Sequence, residues 1–423
     1  MKTPQGCVSC RKDGARSEIV PQSARPDQGR FPRFTLTARR AGAWSAVVQV
    51  CQTGAVDDAT DLEGIPPAAS GPVDPPPVAL PDSELRQLRS PHADRPYHLY
   101  IGLPQGYDQS SDRYPVLYLL DGQWDFRLVT AIYSALLFDR FVPEMIIVGI
   151  SYGGEQPDYD ALRVRDYTPT AMVDFAGSGG APEFLTFLQE ELIPFVESGY
   201  RVESDRRVLA GSSLGGLFGL YSLFTEPDLF GGYLSISPVI PWGENVLLRL
   251  EDRLAKRRDD LPVRLFLAAG ELEPESAMVG PVQRLAARLR GRSYWGLELT
   301  EMVIPGERHA GVKAEAFNRG LRAAFEPRSI DLPVEALAQF AGEYRNVDEG
   351  KALHLVFAVD ETQLVLQAAP DSHEADQLQP RAENLFAFRK IPGEISFQRN
   401  PAGGVAGATI HLTEGDRRLE KAT

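Results

Sequence analysis

The segment Arg207-Val208-Leu209-Ala210-Gly211-Ser212-Ser213-Leu214-Gly215-Gly216-Leu217 holds the residues of this chain best suited to chemistry. A branched apolar run passes directly into Gly-x-Ser-x-Gly and then into a helix-forming stretch, the context that makes this pentapeptide a nucleophile elbow. Gly211 and Gly215 permit a turn too sharp for side chains, so Ser213 can hold a strained backbone with its hydroxyl above a sheet. The helix that starts there turns its free amides toward developing negative charge. A phosphate loop would place a lysine beside the serine, and this segment has none. Ser212 takes the role only if the elbow shifts by one residue.

A serine hydroxyl needs a base. Of the six histidines, His92 and His98 precede or enter the first strands, and His354, His373 and His411 fall in the C-terminal part. His309 alone sits in a loop after the last α/β strand, in Ile304-Pro305-Gly306-Glu307-Arg308-His309, where the order Ser…acid…His places it. The acid should follow Val263–Ala269, where Glu271, Glu273 and Glu275 share one loop. Alternation turns Glu271 and Glu273 the same way, and Glu273 is preferred. Oxyanion stabilisation asks for two backbone amides. Leu214 supplies one, and the turn Asp121-Gly122-Gln123-Trp124 after Pro115–Leu120 supplies the other, with Gln123 ahead of Gly122 and Trp124. Trp124 and Trp242 would line a small apolar acyl pocket.

Seven short apolar runs position these residues: Tyr97–Leu103, Pro115–Leu120, Met145–Ile150, Arg207–Ala210, Gly232–Ile236, Val263–Ala269 and Leu297–Ile304. They alternate with helix-period stretches near 128–139, 182–198, 214–225, 243–258, 277–290 and 312–325. Alternation of this kind implies βαβ units, so the expected class is α/β, a mostly parallel sheet with helices on both faces. The catalytic domain should span 78–327. Residues 332–423 carry short strands with turns and no good helix after about 341, the pattern of a small antiparallel barrel or sandwich.

The remainder bounds the function. In 423 residues there are 44 basic and 58 acidic side chains, a net charge of −14, which disfavours nucleic acid or an anionic membrane surface as the main partner. No apolar run of about 18 residues is present to span a bilayer. Residues 1–77 read as a disordered basic arm and a proline-rich linker, so a charge of +6 in the first forty residues is followed by −20 in the rest. Cys7 and Cys10 have CxxC spacing, but with Cys51 the only other cysteine they cannot complete a zinc site, and no metal is expected. Arg39-Arg40 before the apolar stretch Ala41–Cys51 resembles a displaced signal sequence, which would indicate export; otherwise the cytoplasm is the default.

Several motifs together carry a family resemblance: Tyr114-Pro115-Val116-Leu117-Tyr118-Leu119-Leu120-Asp121-Gly122, Arg163-Val164-Arg165-Asp166-Tyr167-Thr168-Pro169, the elbow itself, Ser235-Ile236-Ser237-Pro238 and Gly306-Glu307-Arg308-His309. Over 78–327 the chain resembles the esterase D-like family, which includes enterobactin-type siderophore esterases and S-formylglutathione hydrolases. The resemblance implies the α/β-hydrolase fold and carboxylic-ester hydrolysis without metal or organic cofactor. Its Gly-x-x-Glu pattern falls on Gly270–Glu273 and supports Glu273; it also places Arg163, Arg165 and Asp166 near the site, as substrate contacts or as an ion-pair network fixing a loop. The segment from Ala338 to Arg345 resembles the lipocalin-like barrel appended to some serine hydrolases, for which stability, homo-oligomerisation or covering of the active site are the expected roles.

The expected activity is therefore hydrolysis of a small or short-chain ester through an acyl-enzyme on Ser213, with His309 as base and Glu273 orienting it. A siderophore lactone is the alternative substrate, with Arg163 and Arg165 the only hint of a basic pocket, and an acyltransferase would use the same triad.

Overall fold

The computed structural model describes residues 79–91, 95–346, 354–367, 375–412 and 415–422. The basic arm and linker of 1–77, the cysteines, the apolar stretch 41–51, His92 and His373 lie outside the described residues. The chain enters as an antiparallel pair, β1 (Ser83–Ser90) and β2 (Arg95–Gly102), and continues through β3 (Tyr114–Leu119), α1 (Gly122–Phe138) and β4 (Ile146–Tyr152). Helices α2 (Tyr159–Tyr167), α3 (Ala181–Phe187) and α4 (Ile193–Gly199) lead to β5 (Val202–Ser212). Then follow α5 (Leu214–Thr225), β6 (Gly232–Ile236), α6 (Val246–Ala255), β7 (Arg264–Gly270), α7 (Gly280–Arg292), β8 (Glu298–Ile304) and α8 (Val312–Phe325).

Among the described residues these strands make one eight-stranded sheet, ordered β1-β2-β4-β3-β5-β6-β7-β8 and parallel from β4 to β8. Both faces are covered, which is why β3 and β4 are buried along their whole length and read as unbroken apolar runs. Val116, Tyr118 and Leu120 pack on one face with α5, α6 and α7, while Leu117 and Leu119 pack on the other with α1 and α8. The fold is of the α/β-hydrolase kind.

The direction of winding reverses between neighbouring strands β3 and β5. After β3 the chain enters α1 on one face, and after β5 it enters α5 on the opposite face. Divergent helices after adjacent parallel strands leave a crevice at the carboxyl ends, the usual ligand position in open α/β sheets.

Two elements were not legible in the periodicity. Strand β1 is a charged, largely exposed edge strand, the composition that protects sheet edges and erases apolar alternation. Helix α2 falls where only a loop near the site is expected; it is short and polar, and its start is fixed by the Asp158 carboxylate accepting from the Ala161 amide at 3.0 Å.

After α9 (Val334–Ala338) come β9 (Gly342–Asn346), β10 (His354–Asp360), β11 (Gln363–Gln367), β12 (Ala375–Ala382), β13 (Leu385–Phe388), β14 (Gly393–Arg399), β15 (Val405–Leu412) and β16 (Gly415–Lys421). They form a closed antiparallel barrel in which β9 pairs with both β10 and β16. Interlocked rings of Phe340, Tyr344, Phe357, Phe386 and Phe397 fill its interior. Its attachment lies at the amino ends of the parallel strands. Arg264, the first residue of β7, donates to the carbonyls of Ala324 and Glu326 (3.0 and 2.9 Å), and Ile330 donates to Pro380 on β12 (3.0 Å). Arg381 of the barrel donates to the Pro327 carbonyl and pairs with Glu326 at 3.5 Å. The elbow is at the opposite ends of these strands, so the expected role of covering the active site is corrected: the barrel docks at the far edge of the sheet.

Arg381 is nearly buried and faces the connecting segment. Arg381→Ala should cost about 1–2 kcal/mol of barrel docking and folding, seen by calorimetry as a loss of roughly 5–10 °C in the barrel transition. Melting indistinguishable from wild type would show that Arg381 does not carry the clamp.

Candidate active site

Strand β5 ends at Ser212 and α5 begins at Leu214, leaving Ser213 alone at the corner with φ 59° and ψ −116°. A residue with a Cβ holds such a conformation only where its surroundings over-determine it. Here the Ser213 amide donates to the Ile236 carbonyl at 2.8 Å, and its own carbonyl accepts from Leu217 at 3.0 Å. A Cβ at Gly211 would stand 2.6 Å from the carbonyl carbon of Gly215, so the glycines permit the strand and helix to touch across the corner. Ser212 is buried within the strand. The structure therefore puts Ser213, and not Ser212, at the strained corner.

The successive strands β5, β6, β7 and β8 deliver Ser213, Ser237, Glu273 and His309 to the same carboxyl edge. Glu273 and His309 meet directly, with His309 Nδ1 2.5 Å from Glu273 Oε1. An ionised carboxylate only accepts, so Nδ1 carries the proton and Nε2 is left as an acceptor. Glu273 Oε2 accepts from the Gly270 amide at 2.7 Å and the Ser237 hydroxyl at 2.6 Å. Glu271 turns elsewhere, accepting the Gly306 amide at 2.8 Å and so tying the acid loop to the histidine loop. The two loops meet because Gly270 has no side chain: a Cβ there would lie 2.4 Å from the Glu307 carbonyl oxygen. Glu273 is buried, whereas the His309 side chain is 47% exposed at the crevice mouth.

On the other wall, Asp121 adopts φ 57° and ψ 38° before α1. Its carbonyl accepts the amides of Trp124 (2.9 Å) and Asp125 (3.1 Å), which leaves Gly122 and Gln123 as the first-turn amides without an intrahelical acceptor. Of the three residues weighed for the second oxyanion donor, Trp124 is thus occupied and Gln123 is not. Leu214 opens α5 in the same way. The two helix starts lie close together, since a Cβ at Gly215 would be 3.4 Å from Asp121 Oδ2. Both positive dipole ends face the crevice.

Two expected pocket residues need correction. Arg163 does not offer a free charge: its Nε and Nη2 grip Asp121 Oδ1 and Oδ2 at 2.6 and 2.9 Å, with the Trp124 ring 5.1 Å from its guanidinium carbon. Burial pushes the Asp121 carboxyl above its usual range and the guanidinium pulls against that shift. Arg165 likewise pairs with Asp166, so the ion-pair network that fixes a loop is what these residues form. Trp242 is only 4% exposed, donating its indole N–H to the Thr170 carbonyl at 3.0 Å, and it belongs to the core. Its neighbour Phe175 at 4.9 Å is exposed instead, and Trp124 is 46% exposed. Sequence reasoning assigned no role to Asp121, Ser237 or Phe175; Asp-Gly after β3 and Ser-Pro after β6 were the signals available for the first two.

Among the described residues no group of three or more histidine, cysteine or carboxylate side chains stands together to hold a metal ion, and no helix is long and apolar enough to cross a membrane.

Comparison with known proteins adds a chemical frame. The family model described as "Putative esterase" matches residues 90–293, a span that takes in Ser213 and Glu273 and stops before His309. The ferri-bacillibactin esterase BesA of Bacillus subtilis is 33% identical over 268 residues, covering 59% of this chain and 91% of that protein. A siderophore triacetylfusarinine C esterase of Aspergillus fumigatus is 34% identical over 180 residues, covering 41% of this chain and 61% of that one. Among solved structures, the BES protein of Bacillus cereus superimposes with a TM-score of 0.55 at 30% identity, over 60% of this chain and 98% of its own.

The strain at the corner has a measurable signature. Glycine adopts positive φ without a Cβ penalty, so Ser213→Gly should raise stability to chemical denaturation by about 1–2 kcal/mol, while Gly211→Ala should lower it. A Ser213→Gly variant no more stable than wild type would contradict a strained elbow.

Proposed function

From the premise that this chain belongs to the "Putative esterase" family and is an esterase, we propose that Ser213, His309 and Glu273 perform ester hydrolysis through an acyl-enzyme. Ser213 Oγ attacks the ester carbonyl carbon while His309 Nε2 takes the hydroxyl proton. The imidazolium so formed is balanced by Glu273 across the Nδ1 contact of 2.5 Å. The carbonyl oxygen becomes an oxyanion beside the amides of Leu214 and Gln123, where one such donor is worth roughly 3 kcal/mol of transition-state binding. The intermediate collapses, the C–O bond to the alcohol breaks, and His309 returns its proton to the leaving oxygen. Water then attacks the acyl-serine with His309 again as base, releasing the acid and restoring Ser213. The single observation that carries this reading is a buried Glu273 in contact with His309 on the edge that holds a strained serine.

For the substrate, a siderophore ester is the favoured class, supported by the relatives named above, which are siderophore esterases. A second reading, a neutral short-chain ester, is favoured by the state of Arg163. Its charge is already met by Asp121, and the Trp124 ring beside it is apolar and exposed.

Ser213→Ala should abolish turnover of p-nitrophenyl esters, and near-wild-type activity would overturn the nucleophile assignment. Glu273→Gln should lower kcat by about 100- to 10,000-fold, since the orienting carboxylate is lost; Glu271→Gln should lose far less, and the reverse order would exchange their roles. A chain-length series of p-nitrophenyl esters run beside a tricatecholate trilactone separates the substrate classes. Higher kcat/KM for the lactone supports the siderophore reading, and a preference for acetyl or butyryl esters supports the other.

A further inference from the structure

The turn after β6 touches both halves of the site. The Ile236 carbonyl accepts the Ser213 amide at 2.8 Å, and the Val239 amide donates to the Ser213 carbonyl at 3.4 Å. Between them, Ser237 donates its hydroxyl to Glu273 Oε2 at 2.6 Å. One four-residue segment thus holds the nucleophile's backbone on one side and the acid's carboxylate on the other.

Ser237 itself is fully buried and sits at φ 44°, an unfavourable backbone for a residue with a Cβ. Its amide is fixed to the Ala268 carbonyl at 2.7 Å, and Pro238 follows it, which further limits the conformations open to it. Pro238 in turn packs at the start of α5, where a Cβ on Gly216 would come within 3.2 Å of it. Backbone strain held in place from three sides is what a site does when a side chain must point in one direction. With the Gly270 amide, the Ser237 hydroxyl gives Oε2 two donors, so the carboxylate cannot rotate and Oε1 stays on His309.

We propose that Ser237 is a positioning residue for the acid: it fixes the Glu273 carboxylate in the orientation that holds the His309 ring, and sets that pair in register with Ser213. The proposal rests on Glu273 and His309 acting as read above. Without the hydroxyl, one donor to Oε2 is gone and the carboxylate gains rotational freedom. The loss falls on the chemical step, because Ser237 is buried behind Glu273 and has no path to the substrate.

The test uses the full chain carrying Ser237→Ala or Ser237→Gly. Both should lower kcat by about 10- to 100-fold with little change in KM, the loss that follows from removing one hydrogen bond to a charged group. The glycine variant should melt at or above the wild-type temperature, since glycine accepts φ 44° without strain. A kcat loss that appears only together with a lowered melting temperature in both variants would reduce Ser237 to a structural role and overturn the proposal. The second readout is independent of activity. A proton in a short charge-assisted bond between His309 Nδ1 and Glu273 resonates at unusually low field in proton NMR, and both variants should move that resonance upfield or broaden it. Wild-type kcat with an unmoved resonance would overturn the proposal. Failure of the parent reading looks different: Ser213→Ala would retain turnover while the low-field signal still responded to Ser237.

Discussion

The structure depends on the reversal of winding between β3 and β5. Because α1 leaves the sheet on one face and α5 on the other, the two helices diverge from the paired ends of two central strands and a crevice opens between them. That single topological constraint places two helix N-termini, and so two sets of unsatisfied amides, at the mouth of one crevice. The remaining parts of the site are brought to it by sheet order: β6, β7 and β8 follow β5 outward in sequence, and each contributes one residue at its carboxyl end. Parallel pairing makes this possible, since every strand ends on the same edge.

Holding the crevice in shape falls to groups that do no bond-making. Asp121 in a left-handed conformation, gripped in bidentate fashion by Arg163 and backed by Trp124, stiffens the wall from which the Gln123 amide projects. The missing side chains at Gly211 and Gly270 let backbone meet backbone, once at the elbow and once where the acid and histidine loops join. The lining is therefore built on rigid elements, with the His309 side chain 47% exposed at its mouth. The barrel takes no part in this. Its aromatic interior is filled and its attachment is at the amino ends of the strands, so its contact with the hydrolase sheet acts through the fold of the chain rather than at the crevice.

Much of this was legible in the sequence, and the limits follow a physical pattern. Strands buried on both faces announce themselves as apolar runs, and the elbow announces itself because only small residues fit it. His309 was singled out by elimination, and the pairing Gly270–Glu273 pointed to Glu273, the glutamate that contacts His309 in the structure. What escaped was whatever depends on partners distant in sequence. Arg163 looks the same in a chain whether it faces a substrate or a carboxylate, and Asp121 lies 42 residues from the arginine that neutralises it. Tryptophan at 242 reads as a pocket residue by type alone, and only packing shows it to be core. For Ser237 the Ser-Pro after β6 was the only sign, since its importance comes from a hydrogen bond to Glu273 and from a φ that composition does not encode.

The central claim is that the hydroxyl at the strained corner is the group that becomes acylated, and covalent trapping addresses it without reference to any particular substrate. Treatment of the full chain with a fluorophosphonate, followed by intact-mass and peptide mass spectrometry, should give one adduct per chain, on Ser213. No adduct, or an adduct on Ser212 or on any other residue with Ser213 unmodified, would contradict the account.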